Sequence, residues 1–125
     1  MRTIKFRAWD KENKEMLEIE DLHWDECTRE FLIRTTMYSD YFTPEEMMLM
    51  QYTGLHDKNG KEIYEGDIIK VKMYDGKYEN YKIVFRNAEF EAINEDDTNF
   101  IATDVWNIYT EVIGNIYENP ELLEA

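Results

Sequence analysis

His23, Asp25, Glu26 and Cys27 fall within five residues, and side chains of these types can ligate a transition metal or hold a thiolate beside an imidazole. The spacing matches no established site. A zinc centre calls for a second ligand cluster, whereas the one other histidine is His56, so solvated loop residues with a packed cysteine are expected instead. Asp57-Lys58-Asn59-Gly60 has the opening of a calcium loop, but the twelfth position, where a bidentate glutamate belongs, is Ile68, and a turn is the better reading. There is no glycine-rich phosphate cradle, no nucleophile elbow and no serine motif with a histidine to activate it. The expectation is a noncatalytic protein with no catalytic residue, cofactor or metal.

Charge is more informative. Lysine and arginine number 14 against 28 acids, a formal net charge of −14, so the chain should be soluble and self-repelling and disinclined to bind phosphate backbones or anionic membranes. From Asn87 to Ala125 stand Glu89, Glu91, Glu95, Asp96, Asp97, Asp104, Glu111, Glu118, Glu121 and Glu124, with no lysine or arginine among them. The first six form a candidate partner-binding face, complementary to a basic or nucleic-acid-binding protein. Lys70, Lys72, Lys77, Lys82 and Arg86 instead gather beside Tyr74, Tyr78 and Tyr81, the residue mix of a nucleic-acid groove. In the competing reading these cations pair with nearby acids on a solvent-facing sheet and blunt its edge, which the net charge favours, so nucleic acid is not the expected partner. A third reading is a homo-oligomer assembled through strand edges or an aromatic surface.

These residues need elements to position them. Ile4, Phe6 and Ala8 alternate with Lys5, Arg7 and Trp9 as a half-buried strand requires, and Asp10 to Lys14 turns it. Met16 to Trp24 suits a strand or a short helical turn, Phe31 to Thr35 is rich in β-formers, and Tyr38 to Phe42 leads out of it. Thr43-Pro44-Glu45-Glu46 is a capping box with proline at the first helical position, predicting a short helix through Met47 to Met50 that Gly54 helps to end. Pro120 to Leu123 repeats that logic as a terminal helical turn. Between them, Asp75-Gly76 joins the strand from Ile68 to the strand Tyr78 to Arg86, Asn87-Ala88 turns into Phe90 to Ile93, and Val105 to Tyr109 and Val112-Ile113 are further strands, with Glu95 to Asn99 a polar loop. A length of 125 residues fits one domain, divisible into subdomains 1–50 and 51–125. The fold class expected is mainly β, a small, partly open SH3-like barrel or meander with an N-terminal β extension and two short helices; the alternative is α+β.

The most locally determined stretch is Gln51 to Lys70. Asn59-Gly60 signals a hairpin because both residues tolerate positive φ, and Glu65-Gly66-Asp67 turns into the next strand. Asn59, Gly60, Gly66, Asp67 and Gly76 are thus candidate structural turns. The wording from Met50 to Ile69, M-Q-Y-T-G-L-H-D-K-N-G-K-E-I-Y-E-G-D-I-I, resembles the signature of the YopX family of phage and prophage proteins. M-R-T-I-K-F-R-A-W-D from Met1 to Asp10 and E-V-I-G-N-I-Y-E-N-P-E-L from Glu111 to Leu122 are similar to the family's opening and closing motifs, in the same order. Leu22 to Tyr41 and Tyr74 to Thr110 match no family motif. The resemblance implies a small, phage-associated, β-rich protein, from a family without an established activity or catalytic residues to carry over.

Cys27 has no partner for an internal disulfide, and no apolar run approaches the ~20 residues of a membrane helix. Ile4 to Trp9 alternates with charges where a signal peptide would be continuously apolar. A reduced, cytoplasmic setting in a bacterial host is expected.

Overall fold

The computed structural model describes residues 3–94, 100–101 and 110–124. The chain divides into two compact units, Ile4–Gln51 and Met1–Thr3 with Tyr52–Ala125.

In the first unit the alternating N-terminal pattern becomes β1 (Phe6–Asp10), β2 (Glu15–Asp25) and β3 (Glu30–Thr35), joined by the opening half of β4 (Met47–His56). The strands lie in the order β3-β2-β1-β4, all antiparallel, with Ala8 opposite both Leu17 and Leu49. That register puts Ala8, Leu17, Ile33 and Met47 into one buried cluster, flanked by Ile19, Leu22, Tyr38, Phe42 and Leu49. Each large apolar side chain buried in this way stabilises the fold by roughly 1.5–3 kcal/mol.

The helix predicted at Thr43 is not formed. One half of its capping box is: the Thr43 N–H donates to Glu46 Oε1 at 3.0 Å, with the hydroxyl donating to the same oxygen at 3.2 Å, but the Glu46 N–H, like that of Met47, goes to the Thr43 carbonyl at 3.0 Å instead of to the hydroxyl. After that single turn the chain enters β4, because Met47 to Gln51 find ladder partners in Asp10 to Phe6. A two-turn helix is marginal by itself, and central pairing that buries Met47 and Met50 prevails.

In the second unit Tyr52 to His56, the closing half of β4, pairs with β5 (Glu62–Tyr64). Gly54, expected to end a helix, lies inside β4 at φ +89 where the register shifts. Then follow β6 (Asp67–Lys72), β7 (Tyr78–Arg86), β8 (Glu89–Ile93), β9 (Phe100–Ile101) and β10 (Thr110–Asn115). They form an antiparallel sheet in the order β10-β6-β7-β8-β9. Ile63, Ile69, Val71, Tyr81, Ile83 and Ala92 make its core, with Leu55, Met73, Phe90 and Val112 packed against it. The predicted strand Val105 to Tyr109 and the loop Glu95 to Asn99 lie outside the described residues. Pro120–Leu123 is a 3-10 turn, tied to β7 where Asn80 Nδ2 donates to the Leu122 carbonyl at 2.8 Å. The protein is therefore mainly β, and among the described residues that 3-10 turn is the single helical element instead of two helices.

The hairpin at Asn59-Gly60 exists, but its turn is one residue longer than a two-residue turn. Gly60 N–H donates to the Asp57 carbonyl at 3.0 Å and Asp57 N–H to the Lys61 carbonyl at 2.8 Å, with Gly60 alone at positive φ, +83. Met73 to Lys77 repeats this pattern with Gly76 at φ +86. The two-residue turn is Asn87-Ala88, at φ 54 and 63, between the paired residues Arg86 and Glu89.

Candidate functional site

The cationic candidates are brought largely onto one surface. Lys70, Lys72, Lys82 and Arg86 occupy alternate positions of β6 and β7, so they share a face with Tyr78 and Asn80, while Lys77 lies in the turn. Lys70 sits over the Tyr78 ring at 4.5 Å and pairs across the ladder with Glu111. The same face carries Glu89, opposite Arg86, and Glu91, ion-paired to Arg86. Two of the acidic candidates are therefore neighbours of a cationic one. Glu95, Asp96, Asp97 and Asp104 lie outside the described residues. On the core face, burial and the hydroxyl's 2.6 Å bond to Glu79 push the Tyr81 phenol up to about 12.

Of the metal candidates His23 and Asp25 are otherwise engaged, Glu26 is exposed, and Cys27, expected to be packed, is exposed in the turn. His23 Nδ1 meets Asp21 at 3.0 Å and its ring stands on edge to Tyr41, while Asp25 Oδ1 accepts the Cys27 N–H at 2.9 Å in the hairpin turn. Hydrogen bonds from Tyr41 and His23 outweigh desolvation and hold the Asp21 carboxyl below its usual range. Among the described residues no three His, Cys, Asp or Glu groups converge as metal ligands. Asp57, the would-be calcium ligand, is 4% exposed and its carboxylate accepts the N–H groups of Asn59, Lys61 and Val112, each at 2.9 Å. It ties the turn to β10. Gly66, at φ +88, accepts from Ile116 N–H at 2.9 Å, and Asp67 accepts the Tyr64 N–H at 2.7 Å.

One site was not visible in the sequence. Pairing of Asp10 with Met47 sets the turn after β1 and the turn before β4 at the same end of the first unit's sheet. Between them is a cavity of about 550 Å³, lined by Asp10, Glu12, Asp40, Glu45 and Glu46, by Lys11 and Asn13, and by Tyr38, Phe42 and Met47. Asp10 at its floor is 4% exposed and committed: Oδ1 accepts from the N–H groups of Glu12 and Asn13 at 3.0 and 3.2 Å, and Oδ2 from Asn13 Nδ2 at 2.9 Å. Burial pushes its pKa up, and these bonds outweigh it to leave the carboxyl below its ordinary value. Asn13 also donates to the Tyr38 hydroxyl at 3.0 Å. Desolvation, then the charges of Glu15 and Asp10, raise the Tyr38 pKa. Glu46 is bound to Thr43, whereas the exposed Glu12, Asp40 and Glu45 have carboxylates that make no hydrogen bond or ion pair among the described residues. The cavity thus has an aromatic wall, the Asp10 carboxylate beside Met47 at its floor, and uncompensated negative charge at the rim.

Two compact units built from antiparallel sheets, each unit with its own small core, define a small mainly β protein. The YopX protein family model matches residues 5–124, and the chain belongs to the YopX family. It is similar to the crystal structure of protein EF1440 from Enterococcus faecalis at 32% identity and a TM-score of 0.65, covering 99% of this chain and 100% of that one. Protein yopX from Bacillus subtilis, also solved by X-ray crystallography, is similar at 26% identity and a TM-score of 0.65 over the same shares. No curated protein matches.

Proposed function

We propose that the protein is a noncatalytic binding module of a phage or prophage, acting in the cytoplasm of a bacterial host by contact with a basic or nucleic-acid-binding protein. The observation that carries this is the cavity, where Glu12, Asp40 and Glu45 are unneutralised beside Tyr38 and Phe42. A cationic side chain of a partner would gain both charge pairing and an aromatic face there. The net charge of −14 adds a long-range field that speeds encounter with cationic proteins and opposes phosphate backbones. We read the Tyr52–Ala125 unit as a partly open, SH3-like barrel carrying this site's unit as its β extension; the continuous β6-β7-β8 meander supports that reading.

The test is capture from a host lysate with the wild type and with a Glu12→Gln, Asp40→Asn, Glu45→Gln variant. Basic proteins should be retained by the wild type, lost by the variant, and released at high salt, where the Debye length falls to ~3 Å at 1 M. Equal capture by both proteins, or a gel shift of nucleic acid at low salt that Lys70→Glu and Lys72→Glu abolish, would move the binding surface elsewhere.

A further inference from the structure

At the far end of the β2–β3 hairpin the apolar face outruns the core that covers it. Leu22 pairs with Ile33, and Ile33 is bridged in turn to Phe42, so these three make the last covered row. Two positions on, Trp24 and Phe31 pair on the same face, their rings T-shaped at 5.3 Å and their side chains 46% and 48% exposed. The backbone there is also open. Ile33 gives its N–H to, and takes an N–H from, Phe42 at 2.7 Å, so both of its polar groups point away from β2. Alternation of the antiparallel ladder points those of Phe31 the same way, and they meet no partner among the described residues. On the opposite face of β3 lies exposed Glu30, with Glu26 and one cation, Arg29, exposed in the adjoining turn, while Arg34 is already engaged with Glu20 at 3.7 Å and with the Tyr41 ring at 5.4 Å.

We propose that this end of β3 takes an extended, cationic segment of a partner protein as an added strand. The segment alternates lysine or arginine with apolar residues. Its backbone pairs with Phe31, its apolar side chains lie on Trp24 and Phe31, and its cations, on the other face, meet Glu30 and Glu26. Charge complementarity selects this occupant over a second copy of the chain, which would bring 28 acids against 14 bases to a rim already acidic. The inference rests on the basic-partner reading above.

The experiment is fluorescence anisotropy of a labelled peptide alternating lysine with valine and phenylalanine, titrated with the full chain. Binding should weaken with salt. It should fall about tenfold or more with Trp24→Ser, a loss typical of a central aromatic anchor. Phe31→Pro, which removes the edge N–H, should abolish it, while Phe31→Leu retains it; circular dichroism checks the fold of each. The proposal is overturned if the wild type does not bind the peptide or if Trp24→Ser binds as tightly as wild type. Loss confined to the cavity variant would overturn the added strand while keeping the basic-partner reading. A dimer in sedimentation that Trp24→Ser disperses would assign the face to a second copy instead.

Discussion

Removing the charge of Asp57 should destabilise the Tyr52–Ala125 unit, and the effect should fade in acid. One carboxylate serves three backbone donors, Asn59 and Lys61 through Oδ1 and Val112 through Oδ2. Asparagine keeps the shape but offers one acceptor oxygen and turns its NH₂ toward N–H groups, so at least one buried donor is orphaned at a cost of about 2 kcal/mol. Alanine orphans all three, and about 4 kcal/mol is expected after partial relaxation. For a chain of this length about 2 kcal/mol corresponds to roughly 6–10 °C in Tm. Desolvation raises the Asp57 pKa, but the bonds from Val112, Lys61 and Asn59 and the Lys61 charge outweigh it, so the folded value is lowered. A depressed carboxyl stabilises the fold above its unfolded pKa of about 3.9 and loses that contribution as pH falls through the folded value. The gap between wild type and Asp57→Asn should accordingly be full at neutral pH and narrow below about pH 4. Urea unfolding of both proteins across that range is the assay. Equal midpoints at neutral pH, or a gap that stays constant into acid, would refute the reasoning.

Three substitutions test the turns and the C-terminal contact. Ala88→Gly should raise the unfolding midpoint, because relieving a left-handed alanine, φ 63, gains about 1 kcal/mol and the added glycine entropy offsets only part of it. Gly60→Val should cost ~1–3 kcal/mol through backbone strain alone, since a Cβ there meets nothing within 4 Å. An unchanged midpoint would contradict the φ of +83. Gly114→Ala puts a Cβ at 2.5 Å from Asn119 Oδ1, which accepts the Asn115 N–H, and at 2.9 Å from Asn119 Cβ; a loss of roughly 1–3 kcal/mol is expected, and Asn119→Gly in the same chain, which removes every clashing atom, should recover part of it.

The β-rich class was legible because Ile4 to Trp9, Phe31 to Thr35 and Tyr78 to Arg86 carry period-two patterns that only a strand can bury on one side. Met47 to Met50 was misleading for the opposite reason. A continuous apolar run behind a capping-box sequence suits a short helix and a central strand equally, and only the partner in β1, at a separation the local pattern does not encode, decides between them. Turn geometry was half legible. Asn-Gly correctly marked a hairpin, yet Asp57 at the first turn position recruits the loop N–H groups and sets a longer turn, while the less favourable Asn-Ala carries the two-residue form because Arg86 and Glu89 are directly paired.

Charge followed the same division between composition and geometry. The excess of acids was countable, but a count cannot say which of them are spent. Glu91 is neutralised by Arg86, whereas neutral donors hold Glu46 to Thr43 and Asp10 to its own turn, fixing those carboxylates in place without cancelling their charge. Glu12, Asp40 and Glu45 are up to 33 positions apart, and they meet because Asp10 and Met47 are ladder partners. An acidic site of this kind follows from strand register, so perturbing the register should disable it even with every carboxylate retained. That consequence separates a built cavity from a merely acidic surface: the latter would attract cations equally well wherever the same charges were displayed.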